Sequence, residues 1–101
     1  MCGVRIVFGT DSGVYPHGLN ARQFAWYTRC GMSPLDAIRS ATTVAAEAMG
    51  WSDRVGTLAV GRYADLVAVA ADPIDDVTEL ERPVTVVKSG RIVFDASVEP
   101  R

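Results

Sequence analysis

The stretch Gly9-Thr10-Asp11-Ser12-Gly13 directly follows a β-branched and aromatic run, Val4-Arg5-Ile6-Val7-Phe8. A carboxylate just beyond the carboxyl end of a buried strand lies where α/β folds gather ligands and catalytic groups. There Asp11 can ligate a metal, or accept a proton from a metal-bound water whose pKa has been lowered toward ~7. The competing reading is an ordinary turn acid, since Asp, Ser and Gly dominate turns for backbone reasons. The local string does not separate the two. His17, between Pro16 and Gly18 in the same loop, can bind a metal, donate to a substrate carbonyl or carboxylate, or exchange a proton near neutrality; an exposed loop histidine is the alternative. Tyr15 and Asn20 are similar cases. Gly9, Gly13 and Gly18 do not make a phosphate cradle, because neither the Gly-Lys-Ser/Thr ending nor the G-x-G-x-x-G order is present. Arg22 reads as a surface residue. Asp65, set among apolar neighbours, is expected to accept hydrogen bonds from nearby turn amides, which offsets the cost of burying its charge.

These residues need elements to hold them. The run at 4–8 is nearly continuous in apolar character, as in a strand of a parallel sheet buried on both faces. Asn20 is expected to cap a helix, with Gln23 closing a capping box and Leu19 facing Phe24, and the helix stops near Cys30 before Gly31. Ser33-Pro34 opens a second helix with Asp36 at its third position and apolar residues at Leu35, Ile38, Ala41, Ala45 and Met49; Gly50 ends it. Beyond Trp51 the chain turns extended. Residues 64–70 read as a strand, 74–81 as an acidic segment with room for one helical turn, and Val84 to Lys88 and Arg91 to Phe94 as a hairpin closed by Ser89-Gly90. Trp51 and Tyr63 are expected to cover the junction of helices and strands. The tail from Asp95 reads as frayed. A lone parallel-type strand leaves both edges unsatisfied, so this α/β arrangement reads as incomplete.

Composition narrows the partners. The 101 residues carry 10 Lys+Arg against 12 Asp+Glu, a net charge of −2, so no basic face recruits nucleic acid. No apolar stretch approaches the ~20 residues that span a bilayer, so no membrane partner is expected. The amino terminus lacks a signal-peptide pattern. Cys2 and Cys30 stand at no motif spacing and fit reduced thiols of a cytoplasmic protein. One histidine cannot furnish a His-rich metal site.

Four segments in order resemble the carboxyl-terminal quarter of the metal-dependent amidohydrolase superfamily. They are Val4-Arg5-Ile6-Val7-Phe8-Gly9-Thr10-Asp11, Gly31-Met32-Ser33-Pro34-Leu35-Asp36-Ala37-Ile38, Ala41-Thr42-Thr43-Val44-Ala45-Ala46 and Gly56-Thr57-Leu58-Ala59-Val60-Gly61-Arg62-Tyr63-Ala64-Asp65-Leu66-Val67. Pro16-His17-Gly18-Leu19-Asn20 is most similar to the branch with imidazolonepropionase-like enzymes and Xaa-Pro and Xaa-Arg dipeptidases. The resemblance implies that residues 1–50 hold the last strand and helices of a distorted (β/α)₈ barrel. Residues 51–101 would then supply the carboxyl-terminal strands of a small β-sandwich domain. It implies Asp11 as general acid/base and metal ligand, His17 as a substrate contact, a divalent metal expected to be zinc, and a small dipeptide or N-acyl amino acid as substrate.

The departure from the family is large. Its paired-His motif, bridging carboxylated Lys and two later His ligands have no counterpart, because His17 is the only histidine and Lys88 lies in the terminal hairpin. The expectation is therefore a carboxyl-terminal piece of an amidohydrolase, unable by itself to hold the metal tightly or turn over substrate. The alternative is a non-catalytic module that forms a homo-oligomer through exposed strand edges.

Overall fold

The computed structural model describes residues 6–9 and 20–96 of the chain. Its elements are three helices, α1 (Arg22–Arg29), α2 (Pro34–Ala41) and α3 (Thr43–Ala48), then β1 (Leu66–Ala68), a 3₁₀ turn (Val77–Glu81), β2 (Thr85–Lys88) and β3 (Arg91–Asp95).

Chain chemistry sets the helix ends. The Ser33 side chain accepts the Asp36 N–H at 3.1 Å and Pro34 occupies the first turn, as expected from the sequence. Gly31 leaves α1 at φ 103°; its N–H donates to the Thr28 carbonyl, and the Met32 N–H donates to that of Tyr27. Gly50 repeats the motif at φ 74°, with its N–H on the Glu47 carbonyl and the Trp51 N–H on that of Ala46. Both are Schellman ends that satisfy carbonyls the helix leaves open.

Two helix expectations need correction. The cap of α1 is Ala21, without a side-chain bond; the Asn20 carbonyl accepts the Gln23 N–H instead, so the helix starts later than an Asn20 cap requires. The helix expected from Ser33 to Gly50 is broken at Thr42, whose φ of −124° and ψ of −90° leave the helical region. The Thr42 hydroxyl donates to the Ile38 carbonyl at 2.9 Å. Gly56 approaches this break so closely that a Cβ there would lie 2.9 Å from Ala46 Cβ and 3.0 Å from the Thr42 carbonyl oxygen. A β-branched pair at the break and a backbone pressed against it favour two short helices over one long one.

The sheet has three antiparallel strands in the order β1-β2-β3. Its hairpin turns at Ser89 (φ 51°) and Gly90 (φ 79°), the pair of positive φ angles that matches the twist of a two-residue hairpin. The register shifts between Val86 and Val87. The strand expected over 64–70 shrinks to Leu66–Ala68, because β2 pairs with those three residues and the Val84 N–H closes the ladder on the Ala68 carbonyl. All three are exposed. Asp95 belongs to β3, not to the tail; residues 97–101 lie outside the described residues.

Burial is concentrated among the helices. Met32, Ala37, Ser40 and Ala46 are buried, joined by Val77 of the 3₁₀ turn, which packs on α1. The expected acidic helical turn is thus present, and it covers the helical layer. Trp51 and Tyr63 meet with ring centroids 6.5 Å apart and Arg54 over the Trp51 ring, yet both rings stay exposed. The Arg62 guanidinium donates to the Ser52 carbonyl beside them.

Candidate functional site

The expected strand at 4–8 is described from Ile6 onward. Residues 6–8 join no sheet among the described residues; they lie against the helices instead. The Phe8 N–H donates to the Ser40 carbonyl at 2.9 Å, and Ser40 is buried on α2 with its hydroxyl donating to the Ala37 carbonyl at 2.6 Å. The Phe8 ring stacks on Phe24 at 4.4 Å and meets the edge of Tyr27 at 5.4 Å, both from α1. Gly9 comes next. Its N–H donates to the Tyr27 hydroxyl oxygen at 3.3 Å, and the same hydroxyl reaches the Gly9 carbonyl at 3.5 Å.

Two helices thereby fix the backbone immediately before the candidate carboxylate. Asp11 itself, His17 and Tyr15 lie outside the described residues. Among the described residues no three of His, Cys, Asp or Glu gather to hold a metal ion. The described residues alone do not amount to a metal centre.

Phe24 was expected only as the partner of Leu19 at the start of α1, and Leu19 lies outside the described residues; Tyr27 carried no expectation. The signal that points to them is spacing: aromatic residues three apart share one face of a helix, ready to receive an aromatic from outside it. Asp65 behaves as expected, accepting the Ser89 N–H at 2.7 Å, although its setting is exposed. Arg22 is on the surface, and Cys30 is an exposed free thiol. No helix is long and apolar enough to cross a membrane among the described residues.

Comparison with known proteins gives a consistent set of relatives. The model of the amidohydrolase family matches residues 1–93. The ochratoxinase of Aspergillus niger is 32% identical over 103 residues, covering 97% of this chain and 21% of that protein. A crystal structure of a Xaa-Pro dipeptidase with bound methionine in its active site superposes with a TM-score of 0.85 at 41% identity, covering 89% of this chain and 22% of that one. An amidohydrolase from Thermotoga maritima superposes at 0.77 with 30% identity, covering 92% and 24%. The chain spans about a fifth of the length of the curated relatives it matches.

Proposed function

The chain belongs to the amidohydrolase family, and from that membership we propose that it is the carboxyl-terminal part of a hydrolase that cleaves a carbon–nitrogen bond. The observation that carries this reading is the 41% identity and TM-score of 0.85 to a Xaa-Pro dipeptidase over nearly nine-tenths of the chain. The substrate class is a dipeptide or an N-acyl amino acid. Residues 1–50 finish the barrel, and 51–101 return to the small sandwich domain. A fold supports many chemistries, so the reaction class rests on the relatives, not on architecture alone.

Asp11 is the proton-transfer group. Its carboxylate takes a proton from the water that attacks the amide carbon, and hands it to the amine nitrogen as the carbon–nitrogen bond breaks. His17 contacts the substrate. The family resemblance brings a divalent metal, expected to be zinc, with Asp11 as one ligand and the remaining ligands outside this chain; when bound, the metal would activate the attacking water. Exposed apolar side chains support a larger parent: Val60, Leu58 and Ile92 are 104%, 73% and 66% exposed, a pattern that fits surfaces covered by the rest of a fold.

The test uses the full-length parent, zinc-loaded and assayed against a panel of Xaa-Pro dipeptides and N-acyl amino acids. Release of the free amino acid, abolished by a chelator and restored by metal, is expected. A folded, metal-loaded enzyme that hydrolyses none of the panel overturns the reading.

A further inference from the structure

We propose that the outward face of α1, formed by Arg22, Trp26 and Arg29, is a docking surface for a second copy of the parent protein, which meets it with the exposed turn at residues 72–76. Side chains four and seven positions apart on a helix fall within about 60° of one another, so these three form a single stripe. All three are exposed, Trp26 by 49%, and the Arg29 guanidinium lies 5.0 Å from the centre of the Trp26 ring. Phe24 and Tyr27, which hold Phe8, stand about half a turn away around the helix. Chain that completes the surroundings of residues 6–8 therefore meets them on the far side of α1 from the stripe.

Trp and Arg are the residue types that anchor protein interfaces, and a ring already stacked under a guanidinium has little freedom left to lose on binding. Residues 20–35 contain no acid, whereas the whole chain has a net charge of −2, so the stripe is a local basic patch on an acidic chain. What fits it is an apolar knob between carboxylates. The chain itself offers one. Ile74 is 47% exposed, Asp72, Asp75 and Asp76 are exposed around it, and the Asp72 carboxylate accepts the Ile74 N–H at 2.9 Å, which holds the turn. The turn runs into the 3₁₀ segment that packs on α1, so stripe and knob lie near one another on one chain. Two neighbouring, complementary patches suit a two-fold contact, in which each copy's knob meets the other's stripe. Three side chains fall short of the ~800 Å² per partner of a standard interface, so the stripe is the anchor and the rest of the parent supplies further contacts. The contact does not depend on which bond the parent cleaves.

The experiment is sedimentation of the full-length parent at graded concentrations, with circular dichroism to show that each variant is folded. The unaltered parent is expected to self-associate, and less tightly as salt rises. Trp26→Ala, the double variant Arg22→Glu/Arg29→Glu, and Asp75→Lys should each raise the dissociation constant about tenfold or more, the size of an interface anchor. Asp75→Lys combined with Arg22→Glu/Arg29→Glu on one chain restores opposite charges across the contact and should return the constant to within about threefold of the unaltered value. A monomeric parent overturns the proposal, as does an oligomer that none of these substitutions weakens or that the combined variant fails to restore. Weakening by the arginine reversals but not by Asp75→Lys gives the stripe to a different acidic surface and overturns the pairing with the turn at residues 72–76. Trp26→Ala that lowers the melting temperature and leaves self-association unchanged means that the parent's own chain covers the stripe, which also overturns it.

Discussion

The Asp65 carboxylate and the Ser89 backbone N–H, 24 positions apart in the chain, meet at 2.7 Å. The Gly90 N–H donates to the neighbouring Ala64 carbonyl at 3.0 Å, so the residues entering β1 are tied to the turn of the next hairpin by a charged acceptor and a neutral one. Ser89 has a positive φ, 51°, which costs energy for a residue with a side chain and needs compensation. A hydrogen bond to a charged acceptor contributes roughly 1.5–3 kcal/mol when well formed, and less at an exposed site such as this one.

Asp65→Ala should therefore destabilise the parent by about 1 kcal/mol, with Asp65→Asn intermediate because the amide oxygen still accepts. Thermal unfolding checks the size, and amide exchange at Ser89 checks the cause. A loss without faster exchange at Ser89 would assign the effect elsewhere.

Gly56 and Gly61 make a matched pair. Both have positive φ, 98° and 88°, but only Gly56 has no room for a Cβ, which would lie 2.9 Å from Ala46 and 3.0 Å from the Thr42 carbonyl. Gly61→Ala carries the backbone penalty alone, about 1 kcal/mol. Gly56→Ala adds a steric clash and should cost about 2–4 kcal/mol. Equal melting temperatures for the two variants would contradict the close packing of Gly56 on the α2–α3 break.

The Asp76 carboxylate is exposed and heads the 3₁₀ turn. The Thr78 hydroxyl donates to it at 2.6 Å and the Thr78 N–H at 3.0 Å, and these bonds, with a smaller contribution from Arg82, hold its pKa below the ordinary 3.8. Desolvation opposes them and outweighs the Arg82 contribution. A carboxyl depressed in the folded state stabilises the fold above its unfolded pKa, and that contribution disappears as pH falls through the lowered folded value. Thr78→Val should move the Asp76 titration, followed by carbon NMR, up toward the ordinary value. An unshifted titration would remove the hydroxyl as the leading cause.

The described part of the chain has few buried side chains: Met32, Ala37, Ser40, Ala46 and Val77. Large apolar residues such as Met49, Leu58 and Val60 stand 70% or more exposed. Produced alone, the 101 residues are expected to bind a hydrophobic dye and to melt without a cooperative transition. Sedimentation and calorimetry check this. A monodisperse, cooperatively folded oligomer would favour an independent interaction module over a piece of an enzyme.

Local chemistry was legible in the sequence where one or two residues decide the backbone. Ser33-Pro34, Gly31, Gly50 and Ser89-Gly90 each act within a turn, and each stands where its type predicts. The break at Thr42 was not legible, because the backbone pressing on it comes from Gly56, fourteen residues away. The length of β1 was equally hidden, being set by how far β2 runs beside it. For the candidate site, order and spacing of the motifs sufficed to place the chain in its family. The contact of the Tyr27 hydroxyl with Gly9 depends on α1 folding back over residues 6–9, a tertiary arrangement that the shared helix face of Phe24 and Tyr27 does not by itself specify.

The proton-transfer role proposed for Asp11 is tested most directly by kcat of Asp11→Asn in the full-length, metal-loaded parent against a hydrolysed dipeptide, with metal content measured alongside. Loss of a positioned general acid/base predicts a fall of about 10²–10⁴ in kcat. A folded Asp11→Asn enzyme that retains its metal and turns over within threefold of the unaltered one would contradict it.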